Sequence, residues 1–278
     1  MEMSNYTDLS VEDFLGLVKE KNAEWIDLRF TDPKGKWQHL TMAADVVDED
    51  MLSEGFMFDG SSISGWKAIN ESDMILKPDL SRVTFDPFTA DVTAIVFCDI
   101  LEPSTGQPYD RDPRSTAKKA EEYVKFSGVG DTAFFGPEPE FFVFDDVKFN
   151  SGYRGAMYSI DDVEGPYNID KTFEEGNYGH RPAVKGGYFP VAPVDSCVDL
   201  RGDMVKIAKE MGLKMDKHHH EVAASQQAWH DVLHPRGHGR QRTGLQVCSS
   251  PGCPLLRQNR DLHAKASCPG QRLWYART

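Results

Sequence analysis

The sequence contains no apolar run long enough to cross a bilayer, and its opening, M-E-M-S-N-Y-T-D, has neither the basic start nor the apolar stretch of a leader. A cytoplasmic chain with no membrane partner is expected. Cysteine is scarce, with five in 278 residues, and three of them, Cys248, Cys253 and Cys268, crowd toward one end. Such a set is too small and too uneven for a disulfide framework. Positive charge is also in short supply. The 31 Lys and Arg stand against 44 Asp and Glu, a net charge of −13 with a pI near 5.1. That balance argues against a nucleic-acid surface and for small ions and metabolites as partners. The length allows two domains and a sizeable core.

What is present is organised around Phe134 to Asp146, F-F-G-P-E-P-E-F-F-V-F-D-D. Pro137 and Pro139 push the residues before them toward extended geometry, so the segment reads as a strand. Glu138 and Glu140, two apart, then share a face in an apolar surround, where two unpaired carboxylates repel and are costly to bury. A cation between them would resolve this: a pair of arginines, or a divalent metal held by oxygen ligands; exposure on a sheet edge is the plainer alternative.

Along the chain, Ser10 with Glu12 and Asp13 starts a short helix whose inner face is Phe14, Leu15, Leu17 and Val18. Trp25–Phe30 and Trp37–Met42 alternate as a hairpin around Asp32, Pro33 and Gly35. Gly55–Trp66, G-F-M-F-D-G-S-S-I-S-G-W, is too rich in Gly and Ser for regular structure and reads as a loop with aromatic anchors. Asp91–Ile100 is a buried strand. Pro103–Pro113 is turn-rich and marks a domain boundary. Asp112 caps a helix begun by Pro113, with Ala117, Ala120, Tyr123 and Val124 on its buried face. Ser151–Ser196 is a long loop of the kind that carries function. Asp195 caps a further helix that Gly212 stops.

The next segment, L-K-M-D-K-H-H-H-E-V-A-A, reads as a second charged strand with Met215, Lys217, His219 and Glu221 on one face. Three adjacent histidines of a strand cannot ligate one ion together, because neighbours point to opposite faces. Glu221 is the more useful donor, or else a carboxylate satisfied at the surface.

Taken in order, F-D-G-S-S-I-x-G-W, R-D-P-R-S, G-P-E-P-E-F-F, K-G-G-Y-F and H-H-H-E-V-A resemble type I glutamine synthetase, the bacterial enzyme, from about Trp25 to Gln226. The resemblance implies an α+β architecture, with a β-grasp domain over 1–106 and the first part of a glutamine synthetase-type catalytic α/β domain over 107–226. It implies Mg2+ or Mn2+ on Glu138, Glu140 and Glu221, and ATP near Asp216. Asp216 and Glu221 are an odd number apart, however, which a regular strand would place on opposite faces. The Asp59 and Ser62 loop resembles the one that enters a neighbouring subunit's site to hold and deprotonate ammonium, with Trp66 packed beside it. The implied reaction joins ammonia to L-glutamate through γ-glutamyl phosphate, in a dodecameric ring. Two other readings stand beside it: a ligase joining glutamate to another amine, and a non-catalytic paralogue acting as a ring subunit or regulator.

After Gln226 the sequence departs from that family, whose next residues include a further glutamate ligand. From Gln227 to Thr278 there are eight Lys or Arg and two Asp, so this stretch carries +6 and the rest −19. Back-translated and read one base later, Gln258–Ala266 permits K-T-A-T-F-M-P-K-P, Gly270–Arg277 permits D-N-G-S-G-M-H, and the codons from Ala228 permit L-G-M-T-F. All three are strings of the same family. The tail, 227–278, is therefore expected to be an out-of-frame and disordered product of a base insertion or deletion near Gln226, leaving a truncated and inactive catalytic domain. His234, His238, Cys248 and Cys253 then form no zinc site.

Overall fold

The computed structural model describes residues 6–133, 139–165, 181–223, 226–231 and 273–277. The chain divides near residue 134 into two compact units. No helix among the described residues is long and apolar enough to cross a membrane.

The first unit holds β1 (Tyr6–Thr7), α1 (Val11–Glu20), β2 (Trp25–Thr31), β3 (Trp37–Ala43), α2 (Glu49–Glu54), β4 (Phe56–Asp59), β5 (Asp73–Phe85), β6 (Thr93–Leu101) and α3 (Pro113–Ser127). Its sheet runs β1-β5-β6-β2-β3, with β4 also on β5. The one parallel pair, β2 with β6, joins two antiparallel halves in the β-grasp manner. Ser10 and Asp13 cap α1 reciprocally, satisfying donors that a helix start leaves open. Phe14, Leu17 and Val18 pack on Ile26, Leu28, Phe30, Val96 and Cys98 in one core. Each large side chain fully buried there stabilises the fold by about 1.5–3 kcal/mol. The segment expected to be an irregular loop begins instead as β4, because the alternating Phe56 and Phe58 pair with Leu76 and Met74 of β5.

Asp112 caps α3 through the amides of Arg114 and Ser115. Arg114, 6% exposed, enters between two carboxylates: its Nε donates to Asp99 at 2.9 Å and its terminal nitrogen donates to Asp79. The helix is therefore fixed by its first turn to the sheet of the first unit. The apolar face expected for it is not buried: Ala117, Ala120 and Tyr123 are exposed.

The second unit holds β7 (Glu140–Phe144), β8 (Asp146–Gly152), β9 (Gly155–Asp161), α4 (Val198–Glu210), β10 (Met215–His220), β11 (Gln226–Asp231) and β12 (Leu273–Arg277). Four strands form a sheet in the order β10-β11-β7-β12, and β8-β9 form a separate hairpin. The first part of the expected 151–196 loop is thus a regular hairpin, with Phe149 and Tyr158 directly paired. Phe141 and Val143 of β7 pack on Met204 and Ala208 of α4 with Leu213 and Met215.

Within the tail, β11 runs across the Gln226/Gln227 boundary and β12 pairs with β7. An open β7 edge exposes unpaired N–H and C=O groups, and L-W-Y-A-R has the β-forming residues to cover them.

Candidate functional site

Each unit carries residues singled out in the sequence. In the first, Asp59 ends β4 and caps a short 3-10 turn, Gly60–Ser62. Its Oδ1 accepts from the amide of Ser61 at 2.9 Å and from Ser61 Oγ at 2.6 Å, and its Oδ2 accepts from Ser62 Oγ at 2.6 Å. These hydrogen bonds, from Ser61 first, hold the exposed carboxyl below the usual aspartate range, so it is an anion at neutral pH. The loop is pinned from beneath. Gly60 donates to Ser72 O at 2.6 Å and lies so close to Met74 that a Cβ would fall 2.4 Å from its Cγ. Trp66, 4% exposed, packs among Phe30, Phe58 and Tyr109, and Tyr109 donates to its carbonyl at 2.9 Å. An ionised carboxylate at the surface can attract a small cation. Ser62 is hydrogen-bonded to Asp59, and Trp66 packs on Phe58, the residue before Asp59.

In the second unit, register decides which residues share a face. Glu140 of β7 pairs with Ala228, and Ala228 pairs with His219 of β10. On the other side of Glu140, Arg277 of β12 is its register partner. Phe141 and Val143 turn toward α4, so the His219–Ala228–Glu140 row lies on the face away from α4, the open face, where Ala228 is itself buried and His219 and Glu140 are part-buried. In β10 the pairing jumps between Met215 and Lys217, leaving Asp216 as an extra residue. That bulge overturns part of the expected face: Met215 is buried with α4, while Lys217, His219 and Glu221 lie opposite it. Asp216, the extra residue, has no register partner, so the pairing assigns it to neither face. Glu138 lies outside the described residues.

Glu221 Oε1 stands 3.5 Å from His219 Nδ1, and Glu221 Oε2 accepts from the Val222 amide at 3.1 Å. Tyr188 and Phe189 stack on each other at 3.9 Å and meet His219 edge-on at 5.5 and 4.7 Å. Glu140 and Glu221 supply oxygen donors of the kind Mg2+ and Mn2+ prefer. Among the described residues, though, no three His, Cys, Asp or Glu converge as a metal site. The fit is therefore partial.

Behind this face lies a polar network that sequence reasoning missed. Arg201 of α4, 2% exposed, grips Asp195 with two nitrogens at 2.9 and 2.5 Å, and its Nε donates to His218 Nδ1 at 3.2 Å. Burial and then the Arg201 charge push His218 below the ordinary histidine range. His220 Nε2 donates to Glu164 Oε2 at 2.8 Å, and Glu164 Oε1 accepts from the amide and hydroxyl of Ser196 at 2.8 and 2.7 Å. Burial opposes charge on both groups, but their mutual hydrogen bond prevails, raising His220 and lowering Glu164. The one available signal was the parity of the histidines: His218 and His220 had to point away from Glu221.

A β-grasp unit with a serine-clamped carboxylate, followed by an antiparallel sheet with acidic and imidazole groups on its open face, defines a two-domain α+β protein whose polar groups suit small charged ligands. Comparison with known families is then specific: "Glutamine synthetase, beta-Grasp domain" matches residues 22–103 and "Glutamine synthetase, catalytic domain" matches residues 110–230. The chain belongs to the glutamine synthetase family.

The glutamine synthetase of Rhizobium meliloti (strain 1021) is 58% identical over 217 residues, covering 78% of this chain and 46% of that protein. That of Escherichia coli (strain K12) is 56% identical over 219 residues, covering 79% and 47%. A cryo-EM structure of Plasmodium falciparum glutamine synthetase superimposes with a TM-score of 0.76 at 23% identity, over 89% of this chain and 48% of that one, and so shares the fold. The chain spans about half the length of the curated relatives it matches. The catalytic-domain match stops at residue 230, close to where the composition changes.

Proposed function

We propose that this chain derives from an ATP-dependent glutamate–ammonia ligase, and that its tail from Gln227 is that enzyme's gene read out of frame. The observation that carries the reading is the ordered match of both family domains up to residue 230, followed by a tail whose back-translated codons, read one base later, permit further strings of the same family. In the intact enzyme the γ-carboxylate of L-glutamate attacks the terminal phosphoryl group of ATP, and ammonia then displaces phosphate from γ-glutamyl phosphate. Asp59, ionised and held by Ser61 and Ser62, attracts ammonium and accepts its proton, acting from a neighbouring subunit of a ring. Asp216 lies toward the nucleotide.

Glu140 and Glu221, with Glu138, are the carboxylates for Mg2+ or Mn2+, which when bound would offset phosphate charge. A tail read out of frame carries none of the family's later ligands, and we infer that such a product is inactive. We assign the enzyme to the cytoplasm, where ATP and glutamate are both supplied.

Sequencing the DNA across the codons for Ser225–Trp229 and past Thr278 is the first test. One base change should restore an open frame through N-G-S-G-M-H, and the restored product should form glutamine with ATP, glutamate and ammonia. In that product Asp59→Asn should lower the rate by about 10²-fold or more, in keeping with loss of a proton acceptor. No restorable frame, or a restored product without ligase activity, would overturn the reading.

A further inference from the structure

We propose that Glu164 and His220 are positioning residues for the open face of the second unit, holding residues 185–189 in the path that sets Tyr188 and Phe189 against His219 beside Glu221. The inference rests on the reading above that the face bearing Glu221 is where ligand is bound.

His220 is fully buried behind the sheet and faces away from its neighbours His219 and Glu221. Its imidazole joins three stretches of chain. Nε2 donates to Glu164, 56 residues earlier in sequence, and Nδ1 faces the carbonyls of Gly187 and Glu221, both at 2.7 Å. Ser196 closes the far side by donating amide and hydroxyl to the same Glu164 carboxylate. The network therefore ties Glu164, Gly187 and Ser196 to the end of β10.

The loop it holds would not take this path unaided. Lys185 and Phe189 both lie at φ +59°, a left-handed conformation that costs a non-glycine residue free energy and persists where surroundings over-determine it. Between them the Gly187 amide donates to Val222 O at 3.0 Å and the Phe189 amide to His220 O at 3.4 Å. Gly187 sits so close to β10 that a Cβ would be 2.7 Å from Glu221 O and 2.8 Å from His220 Cε1. Strain at both ends, close approach in the middle and a buried ion pair beneath are three separate observations with one effect. They fix the two stacked rings, each more than half exposed, against the His219 imidazole. A segment that only connected a hairpin to a helix would need none of them.

The test uses the full chain and no substrate, so its failure is distinct from failure of the ligase reading. Amide exchange is followed at Gly187 and Phe189 in wild type, Glu164→Gln, Glu164→Asp and Ser196→Ala, alongside the rate of His219 carbethoxylation. Glu164→Gln should speed exchange at both amides at least about tenfold and His219 modification several-fold, while α4 amides change less than about twofold. Glu164→Asp should recover part of the protection, and Ser196→Ala, which keeps both charges, should give a smaller rise at the same two amides. Unchanged exchange at 187 and 189 would overturn the proposal. So would a rise shared equally by α4 in every variant, since the pair would then be supporting the unit as a whole.

Discussion

Asp27→Asn should destabilise the first unit by about 2.5 kcal/mol near pH 6, and by about half as much near pH 3. Asp27 is 3% exposed on β2, where Oδ1 accepts from His39 Nδ1 and Thr41 Oγ1, both at 2.6 Å, and Oδ2 accepts from Arg29 Nε at 2.5 Å. Burial alone would raise its pKa. The hydrogen bond from His39, the Arg29 charge and the Thr41 hydroxyl outweigh it and bring the pKa from 3.8 to about 2. At about 1.36 kcal/mol per unit, that difference gives the figure above.

The sign follows from the depressed folded value. The stabilisation is complete above the unfolded pKa of 3.8 and is lost as pH falls through about 2. His39 reports the same contact from the other side and is counted once. Its raised pKa, for which the Asp27 hydrogen bond is the main cause, makes its share present below 6.5 and lost as pH rises through the folded value. Arg29 keeps Asp86 at 2.7 Å in the variant, which limits the damage to its own desolvation. Urea unfolding of both proteins, read by tryptophan fluorescence at the two pH values, measures the difference. A gap of equal size at both pH values would refute the electrostatic account and leave shape as the cause.

Two further changes follow from packing and charge. Gly60→Ala drives a methyl into Met74, which has no exposure, and should cost about 1–3 kcal/mol; it should also speed exchange at the Ser61 amide, which Asp59 holds. Arg201→Met should cost the second unit about 3–5 kcal/mol by leaving Asp195 charged and buried, and Arg201→Met with Asp195→Leu should recover part of that loss in the same urea assay.

The elements read correctly from sequence are those whose cause is local. Ser10 with Asp13, Asp112 before Pro113, and the alternation of Trp25–Thr31 each name a cap or a strand within a few residues, and α1, α3 and β2–β3 follow. The Asp59–Ser62 turn, singled out through the family resemblance, also has a local cause, a carboxylate two and three residues ahead of serines. Misread features depend on partners distant in sequence. β4 exists because β5 offers it an edge, and the exposed face of α3 follows from Arg114 being held by Asp79 and Asp99. The Asp216 bulge arises from how β10 meets β11. Glu164 carried no local mark at all, because its partners lie at Ser196 and His220.

The bulge gives β10 a reading frame of its own, with a period of two instead of three. From Lys217 onward, odd positions face outward and even positions face α4, and Asp216 is the single extra residue that sets this phase. Deleting it, or inserting one residue before Glu221, would do to side chains what one base does to codons: every later residue would keep its identity and lose its meaning. His220 would turn away from Glu164, and Glu221 would take its place there, setting one buried carboxylate against another.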